Sequence, residues 1–265
     1  MTPHSDRKHS ASGSDSARFG PNPRETISAN LADVRRRIAA ACDRAGRNPD
    51  EVRLLPISKT VPAHVLRAAF AAGIHDFGEN KIQEALTKAE ALADLPLRWS
   101  VVGHLQTNKV KFLTRFAAEF QALDSLKLAQ ALNRRLETEQ RDLDVFVQVN
   151  TSGEDSKFGL RPDETGDFVA RLAEFPHLRL QGLMTLAIFS ADVARVRECF
   201  RTLHRLHDTL RTTVPAAAGM TELSMGMSGD FETAIEEGAT LVRVGQAIFG
   251  PRPGADAHYW PGLIC

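Results

Sequence analysis

Past the first fifty or so residues, short apolar runs alternate with stretches whose apolar positions recur every three or four residues. The runs are Val52 to Ser58, Ile74 to Phe77, Trp99 to Val102, Glu119 to Leu123, Val145 to Val149, Leu178 to Met184, Thr221 to Met225 and Thr240 to Val244. Most are apolar throughout rather than alternating, the pattern of strands covered on both faces. The intervening periodicity predicts helices over Pro62 to Ala72, Lys81 to Leu92, Asn108 to Ala117, Leu126 to Glu139, Asp163 to Glu174, Asp192 to Thr212 and Asp230 to Glu237. Such a succession of βα units predicts an α/β fold closed into a single (β/α)8 barrel, the TIM barrel. An open doubly wound sheet is the alternative, but no GxGxxG follows any of the strands. One extra helix precedes the barrel: Ile27, Leu31, Val34, Ile38 and Cys42 share a face, and Gly46 closes it. Pro56 has no amide hydrogen to give a ladder, so a bulge or a lost bond is expected within the first strand.

Residues 1 to about 24 are rich in Ser, Pro, Gly and charge, with almost nothing to bury, and read as a disordered tail. The barrel is expected over residues 25 to 250, with 251 to 265 as a C-terminal tail. A barrel of about 250 residues uses nearly all of the 265 available.

Composition narrows the partners. The 33 basic and 33 acidic residues cancel, so no global field draws the chain to nucleic acid or anionic lipid, and an anionic ligand needs local groups. Cys42, Cys199 and Cys265 are odd in number and far apart, which indicates neither a disulfide framework nor a thiolate metal site and suits a reducing cytoplasm. No apolar stretch is long enough for a membrane span, and the N-terminus lacks the apolar centre of a signal peptide. His204 and His207 stand one helical turn apart without an evident third ligand, and read as a solvated helix face. Arg35, Arg36 and Arg37 read as the wet side of the first helix, and Met225 and Met227 as barrel packing.

In a parallel barrel, chemistry gathers at the carboxyl ends of the strands. Lys59 ends the first run, where burial penalises its ammonium form and favours an amine able to attack a carbonyl. Taken alone, it reads far more readily as a lysine whose stem lies along the strand and whose charge reaches water. Glu79 and Asn80 end the second run, Gly103 and His104 the third, Asp124 the fourth, Asn150 the fifth with Lys157 soon after, and Thr185 the sixth. After the seventh and eighth strands, Gly226, Ser228 and Gly245 bring close backbone and hydroxyl donors to the place where such barrels often hold phosphate. Arg243 ends the eighth strand and needs a partner: a ring nitrogen, a carboxylate, or an ion pair with Glu79, Asp124 or Glu222. An imine-forming lysine, a phosphate pocket and an arginine on one rim match a phosphorylated aldehyde, of which pyridoxal 5′-phosphate (PLP) is the commonest cofactor.

These residues lie in longer motifs: ISKTVP from Ile57, DFGENKIQEA from Asp76, WSVVGHLQTNKVK from Trp99, VQVNTSGEDSKFGL from Val147 and GLMTLA from Gly182. A last one, ELSMGMSGDFETAIEEGATLVRVGQAIFG, runs from Glu222. Together they resemble the PLP homeostasis family, the YggS/PROSC-like proteins akin to the alanine racemase N-terminal domain. The resemblance implies a modified barrel of fold type III with Lys59 carrying the cofactor as an imine. It implies Ser224, Ser228, Gly245 and Gln246 around the phosphate, Arg243 at the pyridine nitrogen, and Asn80, His104 and Lys157 near the ring. Where family members often carry a small hydroxyl residue this chain has Gln246, so contact there is expected from the backbone amide. Where SKTKP-like versions carry a second lysine this chain has Val61, which leaves Lys59 the amine of its motif.

The function implied is a PLP-binding protein that holds, buffers or delivers the cofactor without robust turnover, with PLP-dependent apoenzymes as possible recipients. After Phe249 about 16 residues remain, fewer than the roughly 50 of an accessory domain, and the single tyrosine, Tyr259, lies among them. A monomer and a cytoplasmic location are expected, with no metal. Two enzymes are the alternatives: an amino-acid racemase or decarboxylase using His104 or Lys157 as base, and an aldolase whose Lys59 attacks a phosphorylated sugar.

Overall fold

The computed structural model describes residues 18–154 and 156–251. Eight strands alternate with helices in chain order: β1 Arg53–Pro56, β2 Asp76–Glu79, β3 Arg98–Val101, β4 Glu119–Leu123, β5 Leu143–Gln148, β6 Leu178–Met184, β7 Glu222–Ser224 and β8 Leu241–Val244. All pairs are parallel, and the sheet runs from β1 through β8, β7, β6, β5, β4 and β3 to β2. Its two ends meet beyond the strands proper, where the Ser58 N–H donates to the Gly78 carbonyl at 2.9 Å and Ile57 bridges Gly78. The barrel is therefore nearly closed, with its weakest seam between β1 and β2.

Pro56 accounts for that seam. Alternate amides of β1, those of Arg53 and Ile57, donate to Thr240 and Val244 on the β8 side, so position 56 faces β2. Proline has no hydrogen to donate there, and the β2 ladder begins only at Ser58. The expected lost bond is found, and no bulge is needed.

The helices are α1 Pro23–Ala45, α2 Ala63–Ala71, α3 Ile82–Ala91, α4 Val110–Leu113, α5 Leu126–Glu139, α6 Thr165–Arg171, α7 Val193–Thr213, α8 Phe231–Glu236 and α9 Gln246–Phe249. Helix α1 forms because its apolar residues repeat with helical spacing and Pro stands in its first turn, and it ends at Gly46 in the left-handed conformation. Its buried face carries Ile27, Leu31, Val34, Ile38 and Cys42, each large aliphatic contributing roughly 1.5–3 kcal/mol. Its polar side chains fasten it to the carboxyl-terminal part of the chain: Asn30 donates to the Ile248 carbonyl at 2.9 Å, and Arg37 to Glu232 at 2.9 Å.

Four expectations need correction. The helix expected over Asn108 to Ala117 shrinks to a 3₁₀ turn plus α4, because Arg141 takes the Thr114 and Ala117 carbonyls and draws the chain inward. The tail expected to residue 24 ends earlier: Phe19 is buried and Arg18 is bonded to Thr60, so apolar burial and a charged anchor order these residues. Residues 1–17 and 252–265, and with them Cys265 and Tyr259, lie outside the described residues. Third, His207 is buried rather than solvated, and Arg37 is an anchor rather than a wet residue, lying 4.6 Å over the Phe231 ring. Helix α9, four residues long, had no periodicity to reveal it. No described helix is long and apolar enough to cross a membrane.

Candidate functional site

At the carboxyl end of β1 the chain makes a tight turn, closed by the Val61 N–H donating to the Ser58 carbonyl at 2.9 Å. Lys59 is the second residue of that turn, partly buried, and lines a cavity of about 370 Å³ at the strand ends. Thr60 follows with φ 64°, a conformation that a β-branched residue adopts only under strain. Beneath the turn Lys88 donates to the Ser58 carbonyl at 2.8 Å, to Glu79 at 2.6 Å and to Glu84 at 2.6 Å. The Ser58 hydroxyl donates to the same Glu79 oxygen at 2.6 Å. Burial pushes the Glu79 carboxyl pKa up, with the Lys88 ammonium opposing it.

Across the cavity stand the loops after β7 and β8. Gly226 takes φ 95°, and a Cβ there would lie 2.8 Å from the Phe231 Cα, so only glycine fits. The Ser228 hydroxyl accepts from the Gly245 N–H at 3.2 Å, which ties the two loops together. Arg243 is buried and donates to the Ser224 hydroxyl at 2.6 Å and to the Thr185 carbonyl at 2.7 Å. Burial lowers its pKa to about 10, with Asp230 opposing, so the guanidinium stays charged at neutral pH. An ion pair with Glu79, Asp124 or Glu222 was one expectation for Arg243; neutral acceptors on β7 and after β6 hold it instead.

Of the nine residues expected at the site, Lys59, Asn80, His104, Arg243, Gly245 and Gln246 line the cavity together. The other three do not. Ser224 is fully buried behind Arg243, and the Ser228 hydroxyl accepts from the Gly245 amide. Lys157 turns away, donating to the Ala187 carbonyl at 2.9 Å and pairing with Glu154 at 2.5 Å, a pairing that holds the Glu154 carboxyl below its usual pKa. Gly103 allows the wall to close, since a Cβ there would meet the Asn80 carbonyl oxygen at 2.1 Å.

Several lining residues escaped the sequence: Arg18, Lys81, Gln148, Phe158, Met227 and Phe249. Met227 therefore faces the cavity rather than packing inside the barrel. His104 stacks on Phe158 with centroids 4.0 Å apart and puts Nδ1 3.8 Å from Asp124. Among the described residues the lining carries Arg18, Lys59, Lys81 and Arg243 and no aspartate or glutamate, so it favours an anion. That donor set, one partly buried amine among fixed cations, fits a phosphorylated aldehyde. Among the described residues, no group of three or more His, Cys, Asp and Glu is placed to hold a metal ion.

Comparison with known proteins agrees with this geometry. Residues 29–253 match the family model described as alanine racemase, N-terminal domain. Pyridoxal phosphate homeostasis proteins of Pseudomonas aeruginosa and Aquifex aeolicus are 44% and 42% identical to the chain, covering 86% and 84% of it and 96% of each relative. PipY of Synechococcus elongatus, solved with PLP bound, is 32% identical with a TM-score of 0.75 over 84% of this chain and 100% of PipY. Alanine racemase of Clostridium difficile is 13% identical with a TM-score of 0.67 over 88% of this chain and 58% of the racemase, a likeness of fold alone. A nearly closed barrel of eight parallel strands, a lysine at the end of β1 and relatives matched along almost their whole length lead to one conclusion: the chain belongs to the pyridoxal phosphate homeostasis protein family.

Proposed function

We propose that this protein binds pyridoxal 5′-phosphate covalently through Lys59 and keeps it in reserve for other proteins, without robust turnover of its own. The observation that carries the reading is the cavity in which Lys59 and Arg243 meet the tied β7 and β8 loops, its lining free of carboxylates among the described residues. When bound, the cofactor supplies an aldehyde and an electron-accepting ring. Lys59 supplies the amine, and the β7 and β8 loops with Gly245 and Gln246 supply the phosphate end. Arg243, a donor that keeps its proton, would serve as the partner of the ring nitrogen and would favour its unprotonated form, weakening the ring as an electron sink.

The absence of robust turnover is supported by where the candidate bases point. His104 is stacked on Phe158 beside Asp124, and Lys157 is bonded to Ala187 and Glu154 outside the lining. Lys157 is thereby held away from the cavity in which a racemase or decarboxylase would need its base. The relatives' name, homeostasis protein, points the same way.

Borohydride reduction of the PLP-loaded protein followed by peptide mapping tests the assignment. Label is expected on Lys59 and is lost in Lys59→Ala; label elsewhere in the wild type refutes the site. Exchange of amino-acid α-protons in deuterated water at enzymic rates would instead establish an enzyme.

A further inference from the structure

We propose that Arg18 is a positioning residue for Lys59, acting through the strained residue between them in space, Thr60. Arg18 lies ahead of the family-matched region, which begins at residue 29, yet it reaches the cavity rim. One guanidinium nitrogen donates to the Thr60 carbonyl at 2.8 Å and the other to the Thr60 hydroxyl at 3.1 Å. The remaining polar group of Thr60, its N–H, donates to Glu84 at 2.6 Å. Two side chains thus engage every polar atom of a threonine held at φ 64°.

That conformation is unfavourable for a β-branched residue and persists only when its surroundings over-determine it. A charge-assisted, two-pronged guanidinium grip and a carboxylate provide that determination. Lys88 extends the clamp, since it bonds both Glu84 and the Ser58 carbonyl, on the other side of Lys59. The peptide groups flanking Lys59 are therefore fixed before any ligand arrives, and the amine is delivered to the cavity in one direction. Binding then requires less ordering of the turn.

The proposal rests on Lys59 being the amine that takes the cofactor. Its test uses the full-length protein and the variants Arg18→Ala, Arg18→Lys, Thr60→Gly and the Arg18→Ala/Thr60→Gly pair. Hydrogen exchange of the ligand-free protein reads the Ser58 to Pro62 turn, and absorbance titration with pyridoxal 5′-phosphate reads affinity. Arg18→Ala is expected to speed exchange in the turn and to weaken binding about tenfold, with Arg18→Lys in between. Glycine adopts positive φ unaided, so in the Thr60→Gly background the same change is expected to weaken binding less than about threefold. Unchanged exchange and affinity in Arg18→Ala overturn the proposal. Equal losses in both backgrounds overturn it too, because Arg18 would then act directly on the ligand. If wild-type protein places no label on Lys59, the functional reading fails while the exchange arm still reports on the clamp. Should Arg18→Ala not fold, Arg18→Lys carries both readouts.

Discussion

Lys59 shows how much a single residue draws from its neighbours. Its position at the end of an apolar run was plain in the sequence, but the turn that presents it is held by Arg18 from ahead of α1 and by Glu84 and Lys88 from α3. One sign of this was readable: Lys88 stands three residues after Ala85 on the apolar stripe of its helix, where a lysine needs a buried acceptor. His207 is the converse case, a residue that periodicity placed on the wet face and the fold buries. Burial lowers its pKa from the ordinary 6.5, with Asp208 opposing and Arg211 and His204 reinforcing the shift. Because the folded value lies below the unfolded one, the contribution to stability is present above about pH 6.5 and is lost as pH falls toward the folded value. His207→Leu is therefore expected to flatten the fall in stability below about pH 6.5, seen as urea midpoints that change less with pH than in the wild type.

Strands and long helices were legible because their patterns are local. β4, β6 and α5 lie where the run or the periodicity places them, and each of the eight runs overlaps a strand. Short elements were not. Helices α4 and α9 have four residues each, less than two turns of periodicity, and their ends are set by Arg141 and by Asn30 from distant parts of the chain. The β7 loop shows what one residue demands of an element. Gly226→Ala would force a Cβ against the backbone of α8 at a left-handed φ. It is expected to lower stability by about 3 kcal/mol in equilibrium denaturation and to weaken PLP binding, since the Ser228 to Gly245 tie moves with that loop.

Across the whole molecule, a polar chain crosses the barrel interior beneath the cavity. Ser224 on β7 accepts from Arg243 and donates to the Gln121 carbonyl oxygen on β4 at 2.7 Å, and β4 and β7 are not neighbours, so the bond spans the lumen. The Gln121 amide donates to Glu119 at 2.5 Å, and Glu119 accepts from Ser100 at 2.9 Å and from Arg53 on β1 at 2.7 Å. Each member has one consistent direction of donation, from the guanidinium at the site down to the carboxylate, which fixes the Arg243 side chain. Gln121→Leu removes one donor and one acceptor while leaving Glu119 and Ser224 buried. It is expected to cost about 2–3 kcal/mol in urea unfolding, and a midpoint unchanged from wild type would show the chain to be dispensable.

By itself the sequence determined the alternation of strand and helix, the strand ends on which Lys59, Asn80, His104, Arg243 and Gly245 stand, and an interruption of the ladder at Pro56. All of these follow from spacing along the chain and from what each side chain can or cannot donate. Tertiary structure alone decided that Ser224 and Lys157 stand back from the cavity, that His207 is buried, and that Arg18 and Gln121 serve the site. Those depend on which distant acceptor lies within hydrogen-bond reach, and a bond of about 3 Å between segments far apart in sequence leaves no periodic trace in either one.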